Sequence, residues 1–121
     1  MSPAAPRSIL LIEDDEDVSA ALAERLREAG FVVNPEADGK AAWERLVAGS
    51  RPSLIVLDLK LPGMSGWELL ERLRASTTLV GIPVVVVSAY LGFPPAGALA
   101  WLKKPVDPKQ LIETVRRLVP A

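Results

Sequence analysis

Hydrophobic and polar positions along this chain fall into blocks. Four short aliphatic runs stand out: Ile9–Ile12, Phe31–Val33, Leu54–Leu57 and Val84–Val87. None alternates apolar with polar, which is how a strand buried on both faces reads. Between these runs the apolar positions take a helical period. Val18, Leu22, Leu26 and Ala29 repeat at i, i+4, i+8 and i+11, and Gly30 stops that stretch. Ala42 and Leu46 head a second short helix ended by Gly49. Leu69, Leu70 and Leu73 mark a third, and Leu111, Val115 and Leu118 mark the last. That last helix opens with Asp107 as N-cap and Pro108 at its first position. Strand–helix alternation at this rhythm predicts a parallel sheet with helices on both faces. The fifth strand has one candidate, Ala98–Leu102, between Gly97 and Pro105.

Composition narrows the chemistry. The chain has 121 residues and half of them are hydrophobic, which predicts one folded domain over 1–121 with a core of about 8–119. It has no cysteine and no histidine. Disulfides, thiolate metal sites, histidine-bound zinc and histidine-based triads are therefore excluded. Acid–base or metal chemistry must come from 15 carboxylates and 14 basic groups, with a net charge of −1. The basic groups are scattered, so direct nucleic-acid binding is not expected. The aliphatic runs are far too short to span a membrane, and residues 1–7 carry no apolar leader. A cytoplasmic protein without membrane contact is the expectation.

In a doubly wound sheet, functional groups gather at the carboxyl ends of the strands. After the first strand come Glu13, Asp14, Asp15, Glu16 and Asp17; after the third, Asp58; after the fourth, Ser88; after the fifth, Lys103, Lys104 and Pro105. Asp15, Glu16 and Asp17 are accounted for by the dipole of the helix they precede. Asp58 is not, because it directly follows an aliphatic run. A carboxylate there, facing Glu13 and Asp14, would suffer like-charge repulsion unless a cation joins the group. All-oxygen ligands suit Mg²⁺. With the Lys104 ammonium and the Ser88 hydroxyl added, the set reads as a phosphate site in which Asp58 is the natural nucleophile.

These residues closely resemble the receiver domain of two-component response regulators, from Ser8 to Val119. LLIEDDEDV resembles the family's acidic-pair motif, and DLKLPGMSGWELL its phosphoacceptor loop, with Pro62, Met64 and Gly66 in their usual places. Ser88–Ala89 resembles its Ser/Thr–small pair, and Lys104–Pro105 its lysine–proline pair. The resemblance implies a flavodoxin-like α/β fold, a doubly wound (βα)5 arrangement on a five-stranded parallel sheet. It implies phosphorylation of Asp58, with Asp14 as direct Mg²⁺ ligand, Glu13 acting through water and the Lys60 carbonyl completing the metal site. Ser88, Ala89 and Lys104 would serve the phosphoryl group. Trp101, three positions before that lysine, would be the aromatic switch with Ser88; an ordinary core indole is the plain alternative. Lys60 and Tyr90 would tune phosphoryl lifetime. The implied partners are a sensor histidine kinase or phosphotransfer protein and a downstream protein.

One stretch departs from the family. Only AYLGFPPAG, from Ala89 to Gly97, is available to cross from the fourth to the fifth strand. A crossover with its helix needs at least about 10–12 residues, and two prolines break any helix here. The fourth of the family's five helices is therefore predicted to be missing or reduced to a turn, with Leu91 and Phe93 either exposed or covering the gap. Two other readings are a receiver-fold interaction module no longer phosphorylated and a small Mg²⁺-dependent phosphohydrolase. The latter normally has a second Asp two residues after its nucleophile, where this chain has Lys60.

Overall fold

The computed structural model describes residues 7–89 and 95–119. Tyr90, Leu91 and Phe93 lie outside the described residues. Nine elements follow one another: β1 (Ser8–Ile12), α1 (Glu16–Glu28), β2 (Val32–Glu36), α2 (Gly39–Val47), β3 (Leu54–Asp58), α3 (Gly66–Ala75), β4 (Val84–Ser88), β5 (Ala100–Lys103) and α4 (Pro108–Leu118). The strands form one parallel sheet in the order β2-β1-β3-β4-β5. Among the described residues no helix lies between β4 and β5, as the short crossover predicts.

Strand alternation divides the core in two. Ile9, Leu11, Leu54, Val56, Val85 and Val87 pack with Leu22 and Leu26 of α1 and Leu111 and Val115 of α4. Their neighbours Leu10, Ile12, Ile55, Leu57, Val84 and Val86 pack on the other face with Leu46 of α2 and Leu69, Leu70 and Leu73 of α3. Each such side chain contributes about 1.5–3 kcal/mol by leaving water. Because both faces are covered, the central strands are aliphatic throughout, which is why they were legible as unbroken runs.

Helix ends follow local chemistry. The Asp15 carboxylate caps α1 by accepting the N–H groups of Asp17 and Val18 at 3.0 and 3.1 Å. Ser65 caps α3 through the Glu68 N–H, and Asp107 caps α4 through the Lys109 N–H. Two strand boundaries differ from the sequence reading. β2 begins after the buried Phe31 and runs on through Pro35 to Glu36. It is an edge strand, so it tolerates the polar residues and proline that an aliphatic pattern would reject. β5 starts two residues later than predicted, because Leu99 enters the ladder only through its N–H to the Val84 carbonyl. Among the described residues no helix is long and apolar enough to cross a membrane.

Candidate functional site

The strand order brings the carboxyl ends of β1 and β3 side by side at the middle of the sheet. Helices after these two strands go to opposite faces, which is where a doubly wound sheet opens a crevice. Asp58 ends β3 and Glu13 immediately follows β1. Each is only 4% exposed. The Glu13 N–H donates to the Glu36 carbonyl at 3.1 Å, which carries the β1–β2 ladder one residue further. Lys104 follows β5, and its N–H donates to the Ser88 carbonyl at 2.9 Å. The sheet thereby fixes the backbone on both sides of the pocket.

Lys104 joins the two acids. Its Nζ donates to Glu13 Oε1 at 2.9 Å and to Asp58 Oδ2 at 3.0 Å. The other Asp58 oxygen, Oδ1, accepts the Lys60 N–H at 3.1 Å. The aspartate is therefore held at both oxygens. Burial pushes the Glu13 carboxyl up to about 7, the neighbouring Asp58 carboxylate adds to this, and the Lys104 ammonium opposes it. Burial works to lower the Lys104 ammonium, but its bonds to Glu13 and Asp58 outweigh that and hold it above its ordinary value.

Asp14 sits on the solvent side of this pair, and one carboxylate oxygen each from Glu13, Asp14 and Asp58 lie within 4.8 Å of one another. Oxygen donors at that spacing fit a hard divalent cation. A second observation agrees: Glu13 Oε2 is buried with no hydrogen-bond partner. A cation or its water would satisfy that oxygen, whose isolation is otherwise costly.

The remaining predicted residues lie around this centre. Ser88 is buried at the end of β4, with Ala89 exposed beside it. Ala89, Lys104 and Pro105 line a groove with Val18 and Leu22 of α1. Trp101 stands on β5 opposite Val86 and packs against the α2/α3 face of the core. Its indole N–H is buried without a partner. The sequence brought Glu13 and Lys104 to one sheet edge but assigned the lysine to a phosphoryl group, not to a direct bond with Glu13. The two are 91 residues apart, and only the position of each at a strand end hinted at their meeting.

Comparison with known proteins agrees with this geometry. The model of the response regulator receiver domain matches residues 9–116. The DNA-binding response regulator MtrA of Mycolicibacterium paratuberculosis is 36% identical over 115 residues, 89% of this chain and 49% of that protein. The DNA-binding dual master transcriptional regulator RpaA of Synechocystis is 34% identical over 118 residues, 92% of this chain and 48% of that protein. The chain thus spans about half the length of these curated relatives. Among solved structures, the chemotaxis response regulator CheY4 of Vibrio cholerae superposes with a TM-score of 0.84 at 25% identity, covering 94% of this chain and 99% of that one. A sensor protein from Polaromonas superposes at 0.85 with 31% identity, covering 96% and 97%. An acidic pocket at the sheet centre, the (βα) order and the matched residues lead to one conclusion: this chain belongs to the response regulator receiver domain family.

Proposed function

We propose that this chain accepts a phosphoryl group on Asp58 from a phosphohistidine of a sensor kinase or phosphotransfer protein and passes the change to a downstream protein. The observation that supports this reading is the convergence of Asp58, Glu13 and Lys104 within hydrogen-bond distance, with Asp14 beside them.

One Asp58 carboxylate oxygen attacks phosphorus. The P–N bond to the histidine breaks, and its electron pair stays on the imidazole. This chain has no histidine of its own, so the donor imidazole belongs to the partner. The Lys60 N–H on Oδ1 leaves Asp58 a defined orientation for attack. Lys104 exchanges its bonds to the carboxylates for one to a phosphoryl oxygen, and the Ser88 hydroxyl donates to another. Ala89 is small enough to leave the approach open. Asp14, Asp58 and the Lys60 carbonyl would hold Mg²⁺, with Glu13 acting through water. When bound there, the cation neutralises phosphoryl oxygens and so favours transfer. Trp101 follows Ser88 inward, and the surface around β4 and β5 changes with it. Lys60 tunes the lifetime of the acyl phosphate.

In this reading the chain is a signalling domain and turns over no separate substrate. Binding to DNA is named for relatives about twice its length. The shortened β4–β5 crossover favours a second reading, a receiver fold that binds partners without being phosphorylated. Incubation with Mg²⁺ and acetyl phosphate followed by intact-mass measurement separates the two. Wild type gains one phosphoryl mass and Asp58→Asn gains none. No gain in wild type would overturn the phosphoacceptor reading in favour of the second.

A further inference from the structure

The turn between β2 and α2 makes backbone contacts on both sides of the acidic pocket. On one side the Glu36 carbonyl accepts the Glu13 N–H. On the other, Gly39 at the start of α2 lies against the loop that follows Asp58. A Cβ at Gly39 would stand 2.6 Å from the Met64 carbonyl oxygen and 3.3 Å from the Met64 Cβ. Side-chain carbons do not come that close to a backbone oxygen, so any larger residue must push the loop or the helix aside. Gly39 is not among the glycines with positive φ. Its lack of a side chain answers to close approach, not to turn geometry.

The same loop is gripped from its other end. A Cβ at Gly66 would overlap the Asp58 carbonyl oxygen and stand 2.6 Å from the Leu59 Cα. The Gly66 N–H donates to the Leu59 carbonyl at 3.0 Å. The β2–α2 turn is anchored in its turn. The Asp38 carboxylate accepts the Ala41 N–H at 2.7 Å, and Arg45 of α2 holds Glu36 Oε1 through Nη2 at 2.7 Å and Nε at 2.9 Å.

We propose that the turn from Glu36 to Gly39 is a positioning brace, with Gly39 its critical residue, that sets the spacing between Glu13 and the loop that follows Asp58 and carries Lys60. Its functional meaning rests on the phosphoacceptor reading. A displacement entering at Met64 travels along the loop to Lys60, whose N–H orients Asp58.

Gly49 supplies the control. It lies just past the other end of α2 at φ +117°, with nothing within 4 Å of a Cβ there. Alanine at that position strains the backbone without touching the loop. Gly39→Ala and Gly49→Ala in the full chain should both lower Tm. Only Gly39→Ala should weaken Mg²⁺ binding by calorimetry and shift the amide resonances of residues 58–66. Only Gly39→Ala should slow phosphoryl uptake from acetyl phosphate, by roughly 10- to 100-fold, since a misplacement of ~1 Å can cost about 100-fold. Equal losses in the two variants, or wild-type behaviour of Gly39→Ala, overturn the brace. If wild type takes up no phosphoryl group, the phosphoacceptor reading fails on its own. The amide shifts then decide the brace, and unmoved resonances at 58–66 overturn it. Should Gly39→Ala not fold, Arg45→Met, which frees Glu36, is set against Lys40→Met, which breaks only the exposed 3.9 Å pair with Glu44 on the same helix. Weaker Mg²⁺ binding in Arg45→Met alone supports the brace, and equal binding in the two overturns it.

Discussion

β1 and β3 lie at the centre of the sheet, and each runs into a full helix; β4 is followed by no helix among the described residues. The two halves differ in what they carry. The central half holds Glu13 and Asp58, both buried, on backbone tied to its neighbours by ladder bonds and close glycine contacts. The β4–β5 half carries Ser88, Lys104 and Trp101, and near it Leu99 stands 65% exposed. In the proposed transfer, Asp58 and the acidic pair need fixed spacing, since attack geometry tolerates little error. In the proposed switch, Ser88, Lys104 and Trp101 need room to move.

The contrast can be broken by unfolding measurements. Leu57, fully buried in β3, should lose about 2–5 kcal/mol when changed to alanine, whereas Leu99→Ala should stay within about 0.5 kcal/mol. Urea denaturation of both variants checks this. A large loss at Leu99 would mean the β4–β5 half is as tightly covered as the centre. A smaller effect, about 1–3 kcal/mol in Mg²⁺-free buffer, is expected for Lys104→Met, which strands two buried carboxylates. Added Mg²⁺ should restore more stability to that variant than it adds to wild type, as thermal scans with and without the ion would reveal. A smaller effect than that of Lys104→Met is expected for Trp101→Phe. Removing the orphaned indole N–H offsets the volume lost, so the net change should be below about 1 kcal/mol by urea titration. A loss of several kcal/mol would make Trp101 an ordinary core indole.

The same contrast explains what the sequence disclosed. The central strands were legible because burial on both faces leaves no polar residue to blur them, and Asp58 was conspicuous for ending such a run. The strand-end positions also pointed to Glu13, Asp14, Ser88 and Lys104. Edge strands were read less well. β2 was cut short at Val33 although it extends through Pro35, since one neighbour suffices to hold it. Asp14 was read as the direct metal ligand and Glu13 as acting through water, but the sequence did not disclose that the first is exposed and the second buried against Lys104. That distinction depends on contacts across the sheet, which local pattern does not encode. Gly39 carried no signal in the sequence, because its close approach to Met64 joins backbones from different elements.

Pro35 has a consequence for how the molecule behaves in company. A sheet edge with a regular row of free N–H and C=O groups is a template for a further strand from another chain. The β2 edge contains a residue with no N–H to offer, and the opposite edge, β5, is only four residues long. Among the described residues neither border presents a long unbroken row for recruitment. The protein should therefore resist edge-to-edge aggregation at high concentration, which leaves its encounters to side-chain surfaces.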